Sequence, residues 1–326
     1  MKLTPGKLNG LKAVSNDHGV IAAAAMDQRG SLKKALGAKA TDQDLIDFKI
    51  AVSEVLTQHA SAILLDPEWG LPAARRRNPL SGLLLAYEKT GYDKLTPGRM
   101  PDLLDLWSVR RLKEAGADCV KILLYYAPSD PQAINDRKHA WVERIGDECL
   151  ANDIPFFLEI IGYEEGLDEK SLAYAKKKPE IVTAYMREFS KPRYNVDVLK
   201  LEVPVNMKFV SGTRSYKGEK AYTKPEAQEL FRRSAEATAK PFIYLSAGVS
   251  NAEFAETLEL VGESGVKYNG VLCGRATWAD GVPIYAEKGL SAFRKWLEDE
   301  GVRNIQNVNA ALKAASPWWP IYGVAA

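Results

Sequence analysis

Eight short apolar stretches recur along the chain, separated by longer amphipathic ones, and this alternation constrains the fold more than any other feature. They are VIAAAAMD (20–27), SAILLDP (61–67), GLLLAYE (82–88), DCVKILLYY (118–126), IPFFLEIIG (154–162), VDVLKLEVP (196–204), PFIYLSAG (241–248) and NGVLCGRA (269–276). Each is hydrophobic almost throughout, as parallel strands covered on both faces must be. The intervening segments read as helices. Thr41 and Asp44 have capping-box spacing at the head of TDQDLIDFKIAVSEVLTQHA, and DLLDLWSVRRLKEAG stops at Gly116. Further helices are expected over 131–151, 168–190, 224–239, 251–264 and 283–300, with room for only a short one in 68–81.

Repeated strand–helix units predict a single α/β domain, a (β/α)8 TIM barrel over about 15–300 with a C-terminal cap over about 301–326. The cap reads as an extra helix and a strand-like end, SPWWPIYGVAA, whose aromatics cover a hydrophobic surface or an interface between copies of the chain. A doubly wound open sheet is the competing architecture, but the first βα turn lacks the G-x-G-x-x-G of a dinucleotide fold.

Charge and cysteine usage narrow the classes of partner. With 44 basic and 42 acidic residues, the net charge of +2 gives no bulk attraction for nucleic acid or membrane. Cys119, Cys149 and Cys273 form no C-x-x-C pair and fit a reducing cytoplasm. The start, MKLTPGKLNG, has no signal-peptide apolar core, and no stretch approaches the ~18 apolar residues of a membrane span. A soluble cytoplasmic protein is expected.

In a barrel of this kind the chemistry sits at the C-terminal ends of the strands. Asp27 ends the first strand, Lys121 lies on the fourth, Glu159 on the fifth and Lys200 on the sixth. Side chains alternate along a strand, so Val198 and Lys200, Lys121 and Leu123, and Ala23, Ala25 and Asp27 turn toward the barrel axis. Glu202 is read as extending past the sheet into solvent. Taken singly, each charge has a bland explanation. A strand-end lysine can snorkel to water, Glu159 can pair structurally with a buried lysine, and Asp27 can cap a helix near Ser31. Convergence of all four at one end of the barrel favours chemistry.

Two neighbouring lysines make such chemistry specific. One ammonium disfavours a second, leaving a neutral amine to attack a carbonyl carbon. Glu159, its pKa raised by its surroundings, is then expected to carry protons, with Lys121 or Asp27 orienting hydroxyls. The segments after the seventh and eighth strands, with Ser246, Ala247 and Gly248 and with Gly274 and Arg275, pair small residues with a hydroxyl and a guanidinium. At those two strand ends they read as a phosphate site. The three histidines, His18, His59 and His139, show no metal-ligand spacing, so neither a metal nor any other cofactor is expected.

The segments AMDQRGSLK, ILLDPEWGLPA, YEKTGYD, VKILLYY, IPFFLEII, VDVLKLEVPVN, YLSAGVS and GVLCGRATW together resemble the class I tagatose 1,6-bisphosphate aldolases. The resemblance runs from about residue 15 to about residue 300, in family order. It implies cleavage of a ketohexose 1,6-bisphosphate between C3 and C4 to dihydroxyacetone phosphate and glyceraldehyde 3-phosphate. Lys200 would be the Schiff-base lysine and Glu159 the acid/base at the C4 hydroxyl and the enamine. Lys121 and Asp27 would be supporting charges, with Gln28 beside them. Ser246, Ala247, Gly248, Gly274 and Arg275 would hold the C1 phosphate. The family's weak discrimination between C4 epimers implies fructose 1,6-bisphosphate as a second substrate.

For the C6 phosphate, Arg29 and the run Arg75-Arg76-Arg77 are the candidates, the run reading more readily as a solvated face. Two alternatives stand beside this reading: an aldolase for 6-deoxy-6-sulfofructose 1-phosphate, and a non-catalytic sugar-phosphate sensor.

Overall fold

The computed structural model describes residues 3–90 and 96–325. All eight expected strands form: β1 (Ile21–Met26), β2 (Ala62–Leu65), β3 (Gly82–Ala86), β4 (Cys119–Tyr126), β5 (Phe156–Gly162), β6 (Val198–Leu201), β7 (Phe242–Leu245) and β8 (Gly270–Cys273). They pair in chain order, every pair parallel, and β8 closes on β1. Helices lie between them, completing a TIM barrel.

Alternation divides the strand residues into two buried layers. Val120, Ile122, Leu124, Leu199 and Leu201 pack outward against the helices. Ile21, Ala23, Ala62, Leu64, Leu84, Phe157, Val198 and Ile243 fill the interior. Interior filling stops short of the strands' C-terminal ends, where polar side chains take over.

The opposite end is plugged. Helix Pro5–Ala13, which the sequence reading does not include, sends Leu11 into the interior layer, and Val14 follows it. Trp318, fully buried, and Tyr322 complete the plug. Trp318 Nε1 donates to Ser15 Oγ (2.7 Å) and the Tyr322 hydroxyl to the Asp197 carbonyl (2.6 Å). The tail aromatics therefore cover a hydrophobic surface of the chain itself. The extra helix exists, Val302–Ala311, but the strand-like cap does not: Trp319–Tyr322 is a 3-10 turn. Pro317 and Pro320 deny that segment the N–H groups a strand ladder needs.

Helix boundaries follow local chemistry. The capping box at Thr41 and Asp44 is present on helix Asp42–Leu56. The helix expected over 102–116 shortens to Val109–Glu114, because Ser108 caps it and the preceding residues are drawn off by Lys89 bonding to Asp102 and Asp105. The short helix between β2 and β3 is Leu71–Ala74. Among the described residues no helix is long and apolar enough to cross a membrane.

Candidate active site

Strand register brings the charges together. Glu159 on β5 stands directly opposite Lys200 on β6, and Lys121 on β4 lies one strand further round. The result is a chain of ion pairs at the barrel mouth. Lys200 Nζ is 2.8 Å from Glu159 Oε2, and that same oxygen is 2.7 Å from Lys121 Nζ. Lys121 Nζ also contacts Asp27 Oδ2 at 2.9 Å and Glu88 Oε1 at 2.8 Å. Lys121 and Lys200 are 1% and 3% exposed, so neither snorkels to water. Asp27 does not cap the following helix either: the cap position of Gly30–Leu36 is Arg29, without a side-chain cap bond. These groups line a cavity of about 560 Å³ together with Ala25, Gln28, Arg29, Ser246, Ala247, Gly248, Gly274 and Arg275.

Electrostatics assign the charges. Burial alone would strip the proton from Lys121, but Asp27, Glu159 and Glu88 around it push its pKa well above the ordinary lysine value. Burial likewise works against the Glu159 and Asp27 carboxylates. Lys121 and then Lys200 outweigh it in both cases and hold them below the usual carboxylate range. The expected rise at Glu159 is therefore reversed, because two ammonium groups share one of its oxygens. The rise occurs instead at Glu88, where burial dominates the pull of Lys121 and Arg29. Glu88 Oε2 is buried without a hydrogen-bond partner among the described residues.

The same cavity is bordered by the segments that follow β7 and β8. Beyond β7, Ala247 (φ +50°) and Gly248 (φ +78°) are consecutive left-handed residues. A Cβ on Gly248 would lie 2.7 Å from the Arg275 guanidinium carbon, the movable end of an exposed side chain, so it is the left-handed backbone that favours glycine here. Arg275, exposed at the rim, has no carboxylate within salt-bridge distance among the described residues.

A family model described as DeoC/LacD family aldolase matches residues 21–280, which span all eight strands. The chain belongs to the DeoC/LacD family of aldolases. Among its curated relatives, the tagatose 1,6-diphosphate aldolase of Listeria monocytogenes is 54% identical over 328 residues, covering 99% of this chain and 96% of the relative. Tagatose 1,6-diphosphate aldolase 1 of Enterococcus faecalis is 54% identical over 97% of both chains. The Staphylococcus aureus tagatose 1,6-diphosphate aldolase is 51% identical over 96% of this chain and 97% of its own. A solved fructose-bisphosphate aldolase from Plasmodium falciparum superposes with a TM-score of 0.70 over 97% of both chains. At 15% identity that likeness concerns the fold alone.

Every expected site residue of this aldolase-family chain except the run Arg75-Arg76-Arg77 borders the cavity, and two further acids join them. Glu88 follows Leu84 and Ala86 on the inward face of β3, so the alternation that reveals Lys200 also reveals it. Glu202 is the second and corrects the expectation of a solvent-exposed side chain. It is buried, with Oε2 accepting from the Gly162 N–H (2.7 Å) and Oε1 3.2 Å from Lys178 Nζ.

Arg29 is almost fully buried, donating to Glu68 (2.8 Å) and to the Glu88 carbonyl (2.8 Å). The run Arg75-Arg76-Arg77 lies outside the cavity: Arg76 pairs with Glu54 and Arg77 donates to the Ala74 and Ser81 carbonyls. Part of the YEKTGYD segment, Gly91-Tyr92-Asp93, lies outside the described residues. Among the described residues no three His, Cys, Asp or Glu side chains are grouped as a metal site. Lys121 Nζ occupies the point on which Asp27, Glu88 and Glu159 converge.

Proposed function

We propose that the chain is a metal-independent class I aldolase that cleaves D-tagatose 1,6-bisphosphate, and also fructose 1,6-bisphosphate, through an imine on Lys200. One observation carries the proposal: a buried lysine amine 2.8 Å from a carboxylate that a second, firmly charged lysine holds in place. The named activity of relatives 51–54% identical over nearly the whole chain supports the substrate class.

Lys200 passes one proton to Glu159 and attacks the C2 carbonyl carbon as the amine; a nitrogen proton moves to the carbonyl oxygen, and Glu159 returns its proton as that oxygen leaves as water, giving the iminium. The C3–C4 bond then breaks with its electron pair flowing into the iminium as Glu159, a carboxylate again, takes the C4 hydroxyl proton. Glyceraldehyde 3-phosphate leaves, and the enamine takes a proton back at C3. Hydrolysis of the resulting imine releases dihydroxyacetone phosphate and restores the lysine. Lys121 and Asp27 orient the sugar hydroxyls. Ser246, Ala247, Gly248, Gly274 and Arg275 hold the C1 phosphate, and Arg29, with Gln28 beside it, serves the far end. Three free, buried cysteines fit a cytoplasmic setting for this reaction.

The test is cleavage of tagatose 1,6-bisphosphate, fructose 1,6-bisphosphate and 6-deoxy-6-sulfofructose 1-phosphate side by side, each with and without EDTA. Cleavage of both bisphosphates unaffected by the chelator is the expected result. Preference for the sulfonate, or loss of activity with EDTA, would overturn the corresponding part of the reading. No cleavage of any of the three would overturn the whole.

A further inference from the structure

Behind the cavity, helix Asp42–Leu56 carries Lys49, and Asp66 follows the end of β2. Their side chains form an ion pair at 2.6 Å, both wholly closed to solvent. Neither residue borders the cavity. Lys49 Nζ also donates to the Met26 carbonyl (2.7 Å) and the Gln28 carbonyl (2.8 Å), while Asp66 holds it as an ion pair. The first belongs to the peptide that enters Asp27, and the second lies one peptide beyond the one that leaves it. Asp66 extends the arrangement, its other oxygen accepting from the Glu68 N–H (3.0 Å) and the Trp69 N–H (2.8 Å). Glu68 in turn grips Arg29.

A pair buried this deeply is poor evidence of a device for stability, because an apolar pair of the same size would hold the fold as well. Its contacts fall where β1 ends and the backbone leaves the ladder. There, residues 27–29 have no strand partner among the described residues to set their peptide planes. Rotating the Met26–Asp27 plane would swing the Asp27 carboxylate off Lys121, which it now meets at 2.9 Å. We propose that Lys49, paired with Asp66, is a positioning residue that fixes the Met26–Asp27 peptide plane and, through the Gln28 carbonyl, the turn that follows, and so aims the Asp27 carboxylate into the reaction site. The proposal rests on the aldolase reading given above.

The test is a double-mutant cycle of Lys49→Met with Asp27→Asn, read as kcat and KM for tagatose 1,6-bisphosphate cleavage. Active sites are counted by borohydride trapping of dihydroxyacetone phosphate on Lys200, so unfolded protein does not enter kcat. The expected result is a fall in kcat of about 10²-fold for Lys49→Met, the scale of an ångström's misplacement, with KM little changed and trapping on Lys200 retained. In the Asp27→Asn background, Lys49→Met should have almost no further effect, because the group it aims is already gone. Equal factors in both backgrounds, or an unchanged kcat per trapped site, would overturn the proposal. If Lys49→Met does not fold, Asp66→Asn replaces it in the same cycle under the same criterion, since an asparagine keeps the oxygen that accepts from Glu68 and Trp69. Wild-type protein that neither cleaves nor is trapped would overturn the aldolase reading and this inference with it. An active wild type with independent variants overturns the inference alone.

Discussion

Replacing Lys121 by methionine keeps the length of the side chain and removes the one cation shared by three buried carboxylates. After the change Glu159 still has Lys200 at 2.8 Å, and Glu88 has Arg29 at 3.8 Å. Asp27 is left without a cation in salt-bridge distance among the described residues. Stripping one partner from a buried pair costs about 3–5 kcal/mol. Lys121 is 1% exposed, so solvent screening does not reduce that figure. The Lys121→Met variant should therefore lose about 3–5 kcal/mol of unfolding free energy at pH 8. The pH dependence carries a sign. An unpaired buried Asp27 has a folded pKa above its unfolded one, so it binds its proton more readily in the folded state. Its penalty is then full above the folded pKa and shrinks as pH falls, by up to about 1.4 kcal/mol per pH unit, until the unfolded value near 4. Urea unfolding at pH 8 and pH 5 measures both quantities. A loss below about 1 kcal/mol at pH 8, or one that does not shrink at pH 5, would refute the charge assignment.

Other consequences follow from the same geometry. Arg275→Ala removes the rim guanidinium and should raise KM for a sugar phosphate about 10–100-fold with kcat little changed, the worth of charge-assisted hydrogen bonds; an unaltered KM would remove Arg275 from substrate binding. Gly248→Ala forces a side chain onto a left-handed backbone and against that guanidinium, and should destabilise by about 1–2 kcal/mol while raising the same KM; wild-type stability would show that the loop relaxes freely. Asp27 has a folded pKa below its unfolded one, so its stabilisation is present above about pH 4 and is lost as pH falls through the folded value. Asp27→Asn should accordingly flatten the acid limb of the stability–pH curve below about pH 4, and an unchanged limb would contradict the depressed pKa.

The barrel was legible because strands buried on both faces stay apolar along their whole length, which marks them off from the half-polar helices around them. Its inward charges were legible for a related reason: Lys121 and Lys200 interrupt apolar runs at positions of known facing. Glu88 obeys the same alternation but sits beyond the last ladder residue of β3, Ala86, where a carboxylate reads as the start of a loop. Glu202 was misread because its partners, Lys178 and the Gly162 N–H, come from other segments. Helix Pro5–Ala13 buries only Lys7, Gly10 and Leu11, too few apolar positions to leave a stripe in sequence. The direction of the Glu159 shift depends on two lysines meeting one oxygen, a matter of side-chain geometry that no spacing encodes.

Trapping of the imine reaches the central claim most directly. The protein is incubated with dihydroxyacetone phosphate, reduced with borohydride, digested and sequenced by mass spectrometry, with Lys200→Ala treated alongside. A single three-carbon phosphate adduct on Lys200, absent from a folded Lys200→Ala variant that no longer cleaves substrate, is the predicted result. An adduct on Lys121 instead, no adduct on any lysine, or turnover surviving in Lys200→Ala would contradict it.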